Sequence, residues 1–152
     1  MEIKNPKIRI DLWSYLSLAS IFLVLSSCST MNHKPINPTG AAFSQAYEIK
    51  NHKRLVFVSG QVPEDENEKV PSDFRAQAEL AWKNVEIQLK AADMSLKDIV
   101  KFTVYLSDRK YRKENYEVRH KILGDHQPAM TIIITGIYDE QWLLEIDAIA
   151  GK

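Results

Sequence analysis

Glu145 and Asp147 stand two residues apart in Leu143-Leu144-Glu145-Ile146-Asp147-Ala148-Ile149-Ala150. Strand alternation would put both carboxylates on one face. A carboxylate in a partly apolar cleft can serve as general acid or base, and the two could form a carboxylate pair. The plainer expectation is a solvated or salt-bridged Asp147 and, for Glu145, a structural partner in place of a reacting one. Ser59 closes another apolar run, Leu55-Val56-Phe57-Val58-Ser59-Gly60-Gln61. It could line a cleft or simply satisfy the Gly60 turn. No Ser-His-Asp arrangement is evident, so nucleophilic catalysis is not expected. His33, His52, His120 and His126 show no ligand spacing with a carboxylate or cysteine. No metal and no cofactor are expected. Arg119 and His120 read as part of a charged helix face, and His126 as a solvated loop histidine.

Cys28 is the only cysteine. Lys4, Lys7 and Arg9 form a basic start, an apolar stretch runs from Leu12 to Leu25, and Leu25-Ser26-Ser27-Cys28 follows. A basic region, a short apolar core and small residues describe a secretory signal. The stretch is short for a membrane span, which needs about 20 residues. Leu-Ser-Ser-Cys is similar to a bacterial lipobox, which implies cleavage before Cys28 and acylation of its thiol, with palmitate among the chains. Ser29 after the cysteine favours the periplasmic face of the outer membrane. The expected organisation is a signal peptide over 1–27, a lipidated Cys28 with a tether to 40, and one domain over 41–152. Loss of residues 1–27 leaves the chain near neutral. A formal net charge of zero encodes no pull toward nucleic acid.

The remaining elements must position these groups. Phe43 to Ile49 and Arg54 to Ser59 read as strands around a turn at Asn51-His52-Lys53. Ser72 or Asp73 starts a helix whose apolar residues recur at three- and four-residue spacing from Phe74 to Ala92. Asp93 stands where a left-handed residue would end it. Ile99 to Leu106 is a strand and Lys110 to Leu123 a helix, with Tyr116, Val118 and Ile122 as inward candidates. Ala129 to Ile137 and Leu143 to Ala150 are the last strands. The order is α+β, a mixed sheet with two helices on one face. Leu55-Val56-Phe57-Val58 and Ile132-Ile133-Ile134 are apolar on both sides, which implies burial on both. With no further helix, other copies of the chain would have to cover the second face.

The Ser-Gly-Gln strand end, the Gln77 to Asn84 helix segment, the Ile99 to Asp108 strand, the Pro128-Ala129-Met130-Thr131 turn and the Glu-Ile-Asp-Ala-Ile-Ala terminus occur in order. Together they resemble the reactive-intermediate deaminase (RidA/YjgF) family over roughly Gly40 to Ala150. The resemblance implies a chorismate-mutase-like fold and a homotrimer, three sheets forming a barrel with small-molecule clefts between subunits. It implies hydrolysis of 2-imino or 2-enamino acids, with an arginine at position 130 gripping the substrate carboxylate. Glu145 then corresponds to the acidic residue that positions water. Ser59, Asn115 and Phe43 correspond to cleft-lining residues, Phe43 in place of a tyrosine. Met130 has no charge and no donor, and it reads as the filler of an apolar gap. The expectation is a small-molecule-binding member without the family's imine hydrolysis. A hydrolase of shifted specificity using Glu145 and an envelope interaction scaffold are the alternatives.

Overall fold

The computed structural model describes residues 32–152. The expected signal segment and Cys28 lie outside them. Within them the periodic run becomes helix α1 (Phe74–Ala91). Asp73 caps it, its carboxylate accepting from the Ala76 N–H at 2.9 Å, which satisfies one of the donors every helix start leaves free. Asp93 takes the expected left-handed conformation, φ 56°. Just beyond it the Met94 N–H donates to Leu89 O and closes the last turn. Phe74, Ala78, Trp82, Val85 and Leu89 share the buried stripe.

Six strands receive that stripe: β1 (Asn32–Pro38), β2 (Ser44–Lys50), β3 (Leu55–Gln61), β4 (Ile99–Leu106), β5 (Ala129–Ile134) and β6 (Leu144–Gly151). A 3-10 turn at Arg109–Tyr111 leads into α2 (Arg112–Leu123). The sheet order is β1-β2-β5-β4-β6-β3. β4 runs parallel to β5 and antiparallel to β6.

Register sorts every side chain onto a face, because residues paired across strands point the same way. The rows Ile134–Leu106–Leu144, Ile132–Val104–Ile146 and Met130–Phe102–Ala148–Val58 lie on the helix side. There Trp82 meets Phe102 edge-on, with ring centroids 5.3 Å apart. Ile133–Tyr105–Glu145, Thr131–Thr103–Asp147 and Lys101–Ile149–Phe57 lie on the other side. That side has no helix over it, and Phe57 is 72% exposed.

Four expectations change. Residues 32–38, read as a tether, form β1, paired antiparallel with β2 from Asn32↔Lys50 to Pro38↔Ser44. Its prolines hid it, yet proline is tolerated on an edge strand, where one row of backbone groups has no partner. The turn at Asn51 exists, with φ 58°, but it joins β2 to β3, which have β5, β4 and β6 between them in the sheet, and not a hairpin. β5 stops at Ile134 and not at Ile137. α2 faces inward through Asn115, Val118, Arg119 and Leu123, whereas Tyr116 is 46% exposed.

Candidate functional site

Glu145 sits on the open face of β6, half-buried, in a hollow of about 340 Å³ lined by Gly60, Tyr105, Thr135, Gly136, Ile137 and Asp147. β3 closes one wall through Gly60. A methyl group added there would overlap Glu145 Oε1, so the carboxylate lies directly across that backbone. Asp147 accepts a hydrogen bond from the Tyr105 hydroxyl at 2.9 Å. This bond, with the carboxylate charge behind it, raises the Tyr105 phenol above its ordinary range and keeps it protonated. Asp147 is thus held by a neutral donor, where solvent or a salt bridge was expected. The hollow combines one carboxylate free of protein hydrogen bonds among the described residues with a second that is anchored. A free carboxylate beside a hydroxyl can accept a proton or orient a water.

Ser59 shares β3 with Gly60 and is exposed. Met130 and Asn115 are not in this hollow. Met130 pairs with Phe102 on the helix side and packs against the buried core. Asn115 is buried on the inner face of α2, and neither its Oδ1 nor its Nδ2 has a partner. Phe43 is half-buried and enters β2. Its neighbour Ala42 donates its N–H to His120 Nε2 at 3.0 Å, which moors this segment to α2. The site residues expected from sequence therefore divide between the two faces of one sheet. Glu145 and Ser59 lie on one, Met130 and Asn115 on the other.

Three cationic candidates also change character. Arg119 is not on a solvated face. It is 2% exposed, and its Nε and Nη1 have no acceptor. Burial pulls its pKa below the usual guanidinium range. His120 accepts from Ala42 as described. His126 is half-buried, and its Nε2 lies 2.8 Å from Ile99 O, a contact that an Nε2–H donor satisfies. Burial depresses its pKa. Among the described residues no three His, Cys, Asp or Glu side chains gather as a metal site requires.

A second hollow, about 370 Å³, lies on the helix side between Arg109, Arg112, Leu106, Ile132 and Ile134. Sequence reading passed over Tyr105, Arg109 and Arg112. Tyr105 is recognisable only once β4 and β6 are in register. Arg109 sits in the 3-10 turn and Arg112 at the first position of α2, where no periodicity marks them.

This fold and these residues define a class. The sequence pattern of the Endoribonuclease L-PSP family matches residues 34–152, and the chain belongs to that family, which includes the RutC and RidA proteins. Among individual relatives, a RutC family protein of Pyrococcus abyssi is 35% identical over 121 residues, covering 78% of this chain and 90% of its own. The solved structure of RidA from an Antarctic Psychrobacter superposes with a TM-score of 0.62 at 30% identity, over 78% of this chain and 93% of that one. TdcF of Escherichia coli, solved with bound serine, gives a TM-score of 0.63 at 28% identity, over 78% of this chain and 98% of that one.

Proposed function

We propose that this chain is a small-molecule-binding member of its family that lacks hydrolysis of 2-imino acids. The observation that carries the reading is the thioether at position 130. The family resemblance puts an arginine there, and a guanidinium grips a carboxylate through two parallel hydrogen bonds. Met130 offers none, and its contacts are with core side chains. Losing a hydrogen bond to a charged group costs about 1.5–3 kcal/mol, and misplacing the reacting carbon costs further rate. TdcF with bound serine supports a small, polar occupant for the family's cleft. The test is ammonia release from 2-aminoacrylate by the purified protein. Release no faster than in buffer is expected. Catalysis well above buffer overturns the reading.

The hollow at Glu145 supports a second reading, a hydrolase of shifted specificity. In it Glu145 orients water against a neutral imine, enamine or amide, and Tyr105 with Asp147 forms the polar wall. Glu145→Gln should then abolish turnover. Undiminished turnover in that variant removes Glu145 from the mechanism.

Two settings accompany the proposal. The apolar open face favours assembly with other copies, a trimer by family resemblance. The Leu-Ser-Ser-Cys sequence favours lipid attachment at Cys28 and an envelope location. Labelling of the full chain with radioactive palmitate, lost in Cys28→Ser, is the expected outcome.

A further inference from the structure

One corner of the domain gathers cations from distant parts of the chain. β2 ends at Lys50, and the exposed run Lys50-Asn51-His52-Lys53-Arg54 leads into β3. The N–H groups of Lys53 and Arg54 both donate to Lys152 O, at 2.9 and 2.7 Å, which brings Lys152 beside them. Backbone carbonyls, not carboxylates, hold two of these cations. Arg54 Nη2 donates to Ala92 O at 2.8 Å, and Lys152 Nζ donates to Asp93 O at 3.0 Å. A carbonyl orients a cation without cancelling its charge. Lys50 has a carboxylate partner, Glu48 at 3.4 Å, in a bridge open to solvent. Among the described residues Lys53, Arg54 and Lys152 have none.

The described chain begins at the same corner. Asn32 of β1 pairs with Lys50 of β2. Asn32 is four residues beyond Cys28, and four residues at full extension span at most roughly 14 Å. A lipid on Cys28 would therefore bring a membrane within that reach of Lys50 and its neighbours. The field of anionic headgroups extends over a Debye length, roughly 8 Å at physiological ionic strength. The whole chain is formally neutral, so the positive field of this corner is local and directional.

We propose that this corner lies against an anionic phospholipid surface, with Lys50, Lys53, Arg54 and Lys152 among the headgroup phosphates. The orientation rests on the reading of Cys28 as the lipid-bearing residue. A lipid anchor limits the distance from the membrane and leaves the domain free to turn. A basic patch beside the anchor is a second signal, and it selects the side that faces the lipid. A nucleic acid offers similar phosphates, but nothing would hold one beside Asn32.

The test uses the purified full-length Cys28→Ser chain, so that no lipid contributes and the cations before Cys28 are common to every sample. It is sedimented with vesicles of phosphatidylcholine alone, or of phosphatidylcholine and phosphatidylglycerol in equal parts. Binding should favour the anionic vesicles and weaken as salt is raised. Each cation near such a surface is worth about fivefold in partitioning. Adding Lys50→Glu and Lys53→Glu should therefore lower binding to the anionic vesicles by roughly tenfold or more. Both side chains are exposed, and an unchanged melting curve shows that the fold is intact. Lys110→Glu with Lys113→Glu, exposed on another part of the surface, makes the same change in net charge and should leave binding as it was. Equal binding to the two kinds of vesicle overturns the proposal. So does binding undiminished by the changes at Lys50 and Lys53, or an equal loss from those at Lys110 and Lys113. Tighter binding to a single-stranded RNA, lost through the same two lysines, assigns the corner to nucleic acid and also overturns it. Palmitate labelling judges the lipid reading by itself. Lysine-dependent vesicle binding without label removes that reading and leaves the surface. Label without lysine dependence keeps the anchor and removes the surface.

Discussion

Gly60 is where a single hydrogen atom decides a site's geometry. Its missing side chain is the space that the Glu145 carboxylate occupies, so Gly60→Ala must push that carboxylate aside. The expected outcome is a displaced Glu145 in a crystal structure of the variant, with the two sheet faces otherwise unchanged. An unmoved carboxylate contradicts the close approach. Arg119 makes a different prediction. A buried guanidinium without acceptors pays for desolvation and gains little back. Arg119→Met, of similar length and apolar, should raise the thermal midpoint, by the equivalent of about 1–4 kcal/mol on the precedent of buried charges replaced by apolar residues. A lower midpoint would show that its contacts, among them the Tyr116 ring 5.6 Å away, outweigh the desolvation cost. Glu145 was legible as a candidate because strand alternation and the resemblance agreed on it. Arg119 was not legible, because its spacing on α2 fits a charged outer face as well as an inner one, and only packing against α1 and the sheet chooses.

At the scale of elements, capping and register were readable in part. Asp73 was one of two residues expected to start α1, and its side chain does so. Asp73→Ala should cost about 0.5–2 kcal/mol in chemical denaturation, the usual worth of such a cap. β1 was missed because it is held by backbone pairing with β2 and not by an apolar pattern. The loop between α2 and β5 is tied to the start of β4 by His126 and Ile99 O. His126 has a folded pKa below its unfolded value of about 6.5. Between those values the unfolded chain holds more protons, so stability is full above pH 6.5 and falls as pH drops through the folded pKa. Denaturation midpoints should decline from pH 7 toward pH 5, and His126→Gln should flatten that decline. An unchanged slope in the variant assigns the acid sensitivity to other groups.

For the whole molecule, the expectation of a mixed sheet with helices on one face holds. Burial of the opposite face does not occur within one chain. Phe57 at 72% exposed, Leu55 at 43% and Ile133 at 40% lie open. These exposed apolar side chains share with Thr103, Asp147 and Lys101 a sheet face that has no helix over it, and such a face is open to association. Phe57→Lys should lower the molar mass measured by light scattering toward that of one chain, without unfolding it. Assembly that survives this change places the contact elsewhere. Sequence periodicity could show that such a face exists, but not what meets it, because that contact is written on another molecule. The separation of Met130 and Glu145 by the thickness of the sheet has a genetic counterpart. A ligand touching both would have to straddle a junction between neighbours, so a Met130→Arg allele that also lacks Glu145 would gain activity only when co-expressed with a chain that keeps Glu145.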